Sequence, residues 1–198
     1  STMVSCFGGN DGEATAQVSG AIPPYTYSWD DDSAQTAQTA SWLSAGFYTV
    51  IVTDDNGCDT TATVTITEPP LLIATITGVR YVYCKDDSTG MAVVTATGGT
   101  SPYTYLWDDI GDQATDTAVG LPTGIYTVTV TDTLGCDTTA TVTITEPEYL
   151  VGAISYIKNV YCKGDSTAEA NVSVEGGTPP YTYLWNDWNG QTDSLATG

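Results

Sequence analysis

Short runs of alternating apolar and polar residues dominate the chain. Tyr126, Val128 and Val130 alternate with Thr127, Thr129 and Thr131, and residues 139–145 repeat the pattern with Thr against Val and Ile. A period of two puts the apolar set on one face of a β-strand. Between these strands, Asp132-Thr133-Leu134-Gly135-Cys136-Asp137 reads as a hairpin turn; its earlier counterpart carries Asp55-Asn56-Gly57. Thr145-Glu146-Pro147 stops the last strand, as Thr67-Glu68-Pro69-Pro70 does before it, because proline cannot continue a central strand. Upstream, residues 71–84 read as one or two strands, 91–96 as a strand closed by Gly98-Gly99, 103–107 as a strand, and 114–119 as a weak one. Residues 108–112 form an acidic turn, and Gly98-Gly99-Thr100 reads as a simple turn. No segment carries a helical period with caps.

The pattern recurs every 78 residues. Cys6, Cys84 and Cys162 keep this step, as do Cys58 and Cys136, the tryptophans Trp29, Trp107 and Trp185, and the Pro-Tyr-Thr-Tyr runs beginning at Pro24, Pro102 and Pro180. Solenoid units of about 20–50 residues fold only by stacking, whereas 78 residues suffice for a small domain. The expected fold is all-β: tandem Ig-like antiparallel β-sandwich domains in a linear array, each with about seven short strands. The expected domains are 1–70, 71–148 and 149–198, the first shortened at its start and the third at its end. The whole reads as a window on a longer repeat array. The recurring tryptophan would fill each core. Tyr48 and Tyr126, in Gly-x-Tyr, fall where such sandwiches often bury a tyrosine.

Charge changes the picture. The chain carries 24 acids, 4 bases and no histidine, for a net charge of −20. That excludes a nucleic-acid partner, whose affinity comes from Lys and Arg on phosphate, and it disfavours anionic membrane surfaces. No stretch approaches the ~20 apolar residues of a membrane span. A hydrophobic content of 41% in regular positions excludes simple disorder.

Cys6 and Cys58, like Cys84 and Cys136, stand 52 residues apart. The simplest reading is one disulfide within each repeat, with Cys162 lacking its partner; free buried thiols are the alternative. Zinc is excluded by the absence of CxxC pairs and histidine. Disulfides in every repeat would place the protein in an oxidising compartment, outside the cell.

Several acids also recur. Asp54, Asp55, Asp59 and Glu68, with Asp132 and Asp137 in the second repeat, are the candidate calcium ligands, since Ca²⁺ takes six to eight loop oxygens. Thr133 and Leu134 replace Asp55 and Asn56, and no Asp-x-Asp-x-Asp-Gly loop is present, so the competing reading is that these are turn-forming aspartates. No cofactor is required, and calcium is the one candidate. The four bases Arg80, Lys85, Lys158 and Lys163 all flank a first cysteine. They are candidates for inter-repeat or inter-chain contacts, against the alternative of exposed salt bridges worth ~0–1 kcal/mol. Catalysis is not expected: without histidine there is no Ser-His or Cys-His pair, and no phosphate-binding glycine loop appears.

The ordered motifs carry a resemblance. A first Cys, then Gly-Gly-Thr-x-Pro-Tyr-Thr-Tyr-x-Trp, then Gly-x-Tyr-Thr-Val-x-Val-Thr-Asp-x-x-Gly-Cys and Thr-x-Thr-Glu-Pro resembles the SprB repeat. The blocks are residues 98–107, 124–136 and 142–147 in repeat 2, 25–29, 46–58 and 64–69 in repeat 1, and Cys162 with 176–185 in repeat 3. Repeat 1 departs with Ser19-Gly20-Ala21 in place of Gly-Gly-Thr. The resemblance implies very large surface proteins of Bacteroidota, including gliding-motility adhesins, exported by the type IX system. It also implies O-glycosylation at Asp-Ser/Thr sites, here Ser33, Thr60, Ser88, Thr117, Thr133, Thr138, Ser166 and Ser194. The expected function is a spacer or assembly rod at the cell surface, with self-association along or between chains. The alternative is repeats that bind a polysaccharide or surface; Trp42 and Trp188, outside the shared pattern, leave room for it.

Overall fold

The computed structural model describes Ser1–Gly198 apart from Ala21, the last residue of the Ser19-Gly20-Ala21 departure. Among the described residues the regular elements are all strands. In the first repeat these are β1 (Gly12–Thr15), β2 (Thr26–Trp29), β3 (Thr39–Leu43), β4 (Gly46–Thr53) and β5 (Asp59–Ile66). β1 pairs with β3, and a second sheet runs β2-β4-β5, all antiparallel. Ala14, Ala40 and Leu43 from the first sheet meet Trp29, Val50, Val52 and Ile66 from the second in one apolar cluster with Val4 and Ala16. Two sheets closing on a shared core form the sandwich that the alternation predicts.

The second repeat contributes β6 (Ile73–Arg80), β7 (Gly90–Thr97), β8 (Thr104–Trp107), β9 (Thr117–Leu121), β10 (Gly124–Thr131) and β11 (Asp137–Ile144), six strands rather than about seven. The sheets run β6-β7-β9 and β8-β10-β11. Burial repeats with the sequence. Val82, Ala92, Val94, Trp107, Ala118, Leu121, Val128, Val130 and Ile144 are all buried, each 78 residues beyond a member of the first cluster. On β10, Tyr126, Val128 and Val130 are buried and the alternating threonines are not. The third repeat forms one sheet, β12 (Val151–Lys158), β13 (Glu169–Glu175) and β14 (Leu195–Thr197), in that order.

The same local bonds follow each tryptophan, which ends β2 and β8 and in the third repeat lies outside any strand. The indole Nε1 of Trp29 donates to Ala37 O, that of Trp107 to Thr115 O and that of Trp185 to Asp193 O, at 2.8–3.0 Å. An indole N–H needs such a partner when its ring is buried. Asp31, Asp109 and Asp187 cap the turn that follows; each accepts from the backbone N–H and the side-chain amide of the glutamine four residues on. Asp30 and Asp108 brace the neighbouring strand by accepting from Thr49 N and Thr127 N at 2.7 Å. These recurring acids are turn and strand caps. Tyr48 and Tyr126 donate to the carbonyls of Ser44 and Pro122.

One position breaks the pattern. Trp42 has a φ of 61°, where the second repeat has Gly120 at 70°. A left-handed conformation costs a non-glycine residue about 1–2 kcal/mol.

The chain forms two compact units. The first comprises Ser1–Ile76, Val94–Asp116 and Thr127–Thr141; the second comprises Thr77–Val93, Thr117–Tyr126 and Val142–Gly198. Each unit contains one junction between successive repeats.

Candidate functional site at the repeat junctions

In the first unit, the linker Pro70-Leu71-Leu72 leaves repeat 1 and runs beside the Gly98-Gly99-Thr100 loop of repeat 2. Gly99 N donates to Pro70 O at 2.8 Å, and Leu72 is buried. Gly98 has a φ of 73°, and a Cβ there would overlap the Leu71 carbonyl; one on Gly99 would press on Leu72 and on Asp132. The pair is glycine because the linker backbone passes where side chains would stand.

Asp132 ties this loop to the β10–β11 hairpin. Its Oδ1 accepts from Leu134 N and Cys136 N, and its Oδ2 accepts from Thr100 N at 2.8 Å. Burial pushes its carboxyl up, but the amides of Thr100, Cys136, Leu134 and Gly135 outweigh that and hold it below the usual carboxylate range. Thr133 closes the loop, donating from N to Thr100 O and from Oγ1 to Pro102 O.

The hairpin ends at Cys136, which is bonded to Cys6, 130 residues earlier, with a Cα–Cα distance of 5.7 Å. This corrects the expected pairing of Cys6 with Cys58 and Cys84 with Cys136: Cys58, Cys84 and Cys162 are free and exposed. The reason lies in the strand. Val4 N bonds Thr67 O and Gly8 N bonds the Glu68 carboxylate, so Cys6 sits by the Ile66 end of β5. Cys58 precedes Asp59 at the opposite end, eight strand residues away, about 26 Å at 3.3 Å per residue. A disulfide needs Cα atoms within about 7 Å.

The second unit holds the equivalent junction. Val82 N bonds Thr145 O and Asp86 N bonds Glu146 Oε2. Cys84 therefore occupies the place in repeat 2 that Cys6 occupies in repeat 1. Gly177 N donates to Glu148 O, Gly176 meets the Tyr149 carbonyl and Gly177 packs on Leu150, matching the linker contacts of the first junction, although Leu150 is exposed where Leu72 is buried. Lys85 adds a 2.6 Å ion pair with Glu146 and lies 5.7 Å from the Tyr149 ring, and the Tyr149 hydroxyl bonds Asp86. The bond from Glu146 raises the Lys85 amine, and the same bond lowers the Glu146 carboxyl. A cleft of about 430 Å³ opens here, lined by Tyr83, Cys84, Lys85, Tyr149, Gly177 and Thr178 among others.

The other expected contacts disperse. Lys158 pairs with Glu169, its cross-strand neighbour on β13, at 2.7 Å. Arg80 donates to Thr89 O and stacks near Tyr83. Lys163 is exposed, and neither ion pair among the described residues involves it.

The calcium candidates do not converge. Asp54 Oδ1 caps its hairpin on Asn56 N and Cys58 N, as Asp132 does, and all of β5 separates Asp59 from Glu68. Among the described residues no three acids or cysteines form a metal-binding group. Asp55 and Asp137 are exposed. Of the glycosylation candidates, Ser33, Thr60, Ser88, Thr133 and Ser166 are exposed, while Thr117, Thr138 and Ser194 are half-buried.

The sequence pattern shows the double glycine only as a turn and gives the linker leucines no role. Both carry the 78-residue step, Leu72 with Leu150 and Gly98-Gly99 with Gly176-Gly177, and that step was the available signal.

The motif order and the sandwich define a class of tandem Ig-like repeat proteins. The SprB repeat model matches residues 1–34, 82–112 and 154–190, more than half of the chain, and the chain belongs to that family. It is a repeat region of the cell-surface adhesin type. No curated protein matches. Among solved structures, three N-terminal domains of the bacteriophage RB49 Highly Immunogenic Outer Capsid protein superpose with a TM-score of 0.50 at 19% identity. That match covers 88% of this chain and 65% of theirs, so the chain spans slightly under two thirds of that relative, and it shows the fold alone. Eight Ig domains of the Down Syndrome Cell Adhesion Molecule give 0.34 at 14% identity, covering 99% and 35%. A tetra-tandem repeat from the extending region of a large adhesion protein gives 0.26 at 13%, covering 90% and 56%.

Proposed function

We propose that this chain is a structural repeat segment of an extracellular filament or giant surface adhesin, a spacer and assembly rod built from units 1–70, 71–148 and 149–198. The observation that carries the reading is the Cys6–Cys136 bond, which joins the first repeat to the second. A covalent tie between repeats resists pulling along the chain, and disulfides persist in oxidising surroundings. The Gly-Gly loops clasping the linkers stiffen the same points. A net charge of −20 keeps such a segment dispersed in salt water and away from phosphate partners. Type IX export and glycan on the exposed serines and threonines belong to this reading, as does self-association along or between chains.

A second reading, binding of a polysaccharide or surface, is favoured by Trp42 and Trp188, which are 76% and 91% exposed. Exposed tryptophan stacks on sugar rings, and strained backbone of the kind at Trp42 collects at functional positions.

Electron microscopy of native surface material, labelled with an antibody to this segment, tests the choice. Label spaced along ordered filaments or thin stalks is expected. Label confined to a terminal knob that binds polysaccharide beads would overturn the structural reading in favour of the second.

A further inference from the structure

The Cys6–Cys136 bond occupies one of three equivalent first-cysteine positions. Cys84 has the same surroundings: the Val82 and Asp86 bonds, the linker behind it and the Gly-Gly-Thr loop of the next repeat beside it. In the first junction that loop holds Asp132, and Asp132 holds the hairpin that delivers Cys136. In the second, Thr178 and Cys84 line the same cleft, and Cys84 is an exposed free thiol.

We propose that the cleft at Cys84 is a docking and bonding site for an Asp-x-x-Gly-Cys hairpin of the following SprB repeat, so that each repeat's first cysteine is stapled to the next repeat's hairpin cysteine. The hairpin's carboxylate accepts from Thr178 N, as Asp132 does from Thr100 N, and places its cysteine on Cys84. Cys58 is the other half of the same rule: it sits on a hairpin capped by Asp54 and suits the first cysteine of a preceding repeat. The bond forms by exchange with a small-molecule disulfide such as oxidised glutathione. The Cys84 thiolate attacks it, releasing one glutathione thiol; the hairpin thiolate then attacks the Cys84 sulfur, releasing the second. Two protein thiols and one glutathione disulfide give one protein disulfide and two glutathione thiols.

Such staples overlap along the chain. Cys84 lies inside the loop closed by Cys6 and Cys136, so the covalent path from one staple to the next crosses one repeat, through residues 84–136. The rule is independent of whether chains bundle.

The test uses the chain as it stands and a peptide carrying Asp-Thr-Leu-Gly-Cys, offered in a glutathione redox buffer. Cys84, Cys58 and Cys162 are all free, but only Cys84 has a following Gly-Gly-Thr loop beside it. Mass mapping is expected to find the peptide on Cys84 at least tenfold over the other two. Equal capture on all three overturns the proposal. As a second variant, the stretch from Leu121 to Glu148 is appended after Gly198 to give the third repeat counterparts of β10, β11 and their hairpin, its folding followed by the emission of Trp185. Cys84 bonded to the added hairpin cysteine is the expected map. An added cysteine bonded to Cys162, or left free in a folded third repeat, overturns it.

Discussion

Cys6 and Cys136 are bonded across 130 residues, while Cys58, which spacing pairs with Cys6, lies at the far end of β5. The second repeat of this chain has two unlike ends. The first cysteine sits at the end where the linker leaves, and the hairpin cysteine sits at the end that meets the preceding linker. Pairing within a repeat would cross the length of the sandwich, and pairing between repeats crosses only the junction.

The stability of the first junction follows from that bond. Cys6→Ser and Cys136→Ser each release a closed loop of 130 residues and are expected to cost roughly 2–5 kcal/mol in urea unfolding. Cys58→Ser, at an exposed free thiol, should change it by no more than about 0.5 kcal/mol. A Cys58 variant as destabilised as Cys6→Ser would contradict the pairing.

Two tryptophans should answer oppositely to substitution. Trp107 is fully buried, and Trp107→Ala should cost about 3–5 kcal/mol. Trp42 is exposed and left-handed, so Trp42→Gly should stabilise the first repeat by about 1 kcal/mol. Thermal unfolding of both variants checks the pair, and a loss of stability in Trp42→Gly would show that its ring packs on something.

Much of the fold is legible in the sequence, because period-two alternation on residues such as Tyr126, Val128 and Val130 translates directly into buried and exposed faces. The recurrence of Trp29 and Trp107 likewise marks the core. Disulfide pairing was not legible: Cys6 has hairpin cysteines at both 52 and 130 residues, and only the direction of β5 decides between them. The junction glycines looked like turn formers because their constraint comes from a distant linker passing within a Cβ radius of Gly98. The acids read both as calcium candidates and as turn formers because a capping aspartate and a ligating one have the same local sequence; the difference lies in which amides reach Asp132 and Asp54.

Gly98→Ala should break the clasp between the linker and the second repeat. The new Cβ meets the Leu71 carbonyl, and the left-handed backbone alone costs about 1–2 kcal/mol. Hydrogen exchange should show faster exchange at Gly99 N and Thr100 N, with the core amides of β4 unchanged. Unaltered protection at Gly99 would refute the clasp.

Acid should weaken the turns. Burial raises the Asp109 carboxyl, but bonds from the Gln113 side chain and backbone and from Gly111 N bring it below its ordinary value. A folded-state value below the unfolded one means stabilisation that is complete above about pH 5 and lost as pH falls through the carboxylate range. The stability difference between the wild-type chain and Asp109→Asn should therefore shrink as pH drops from 6 to 3. This comparison cancels the general relief of repulsion in so acidic a chain. At the other extreme, Lys85 is raised by Glu146, so its contribution is complete below the ordinary lysine value and lost only above about pH 10. A difference that widens toward pH 3 would contradict the capping role of Asp109.

The most direct test of the account is a disulfide map of the oxidised chain, digested without reduction after the free thiols are alkylated. The account predicts one crosslinked peptide pair, joining Cys6 to Cys136, with alkylated Cys58, Cys84 and Cys162. Crosslinks joining Cys6 to Cys58 and Cys84 to Cys136 would contradict it.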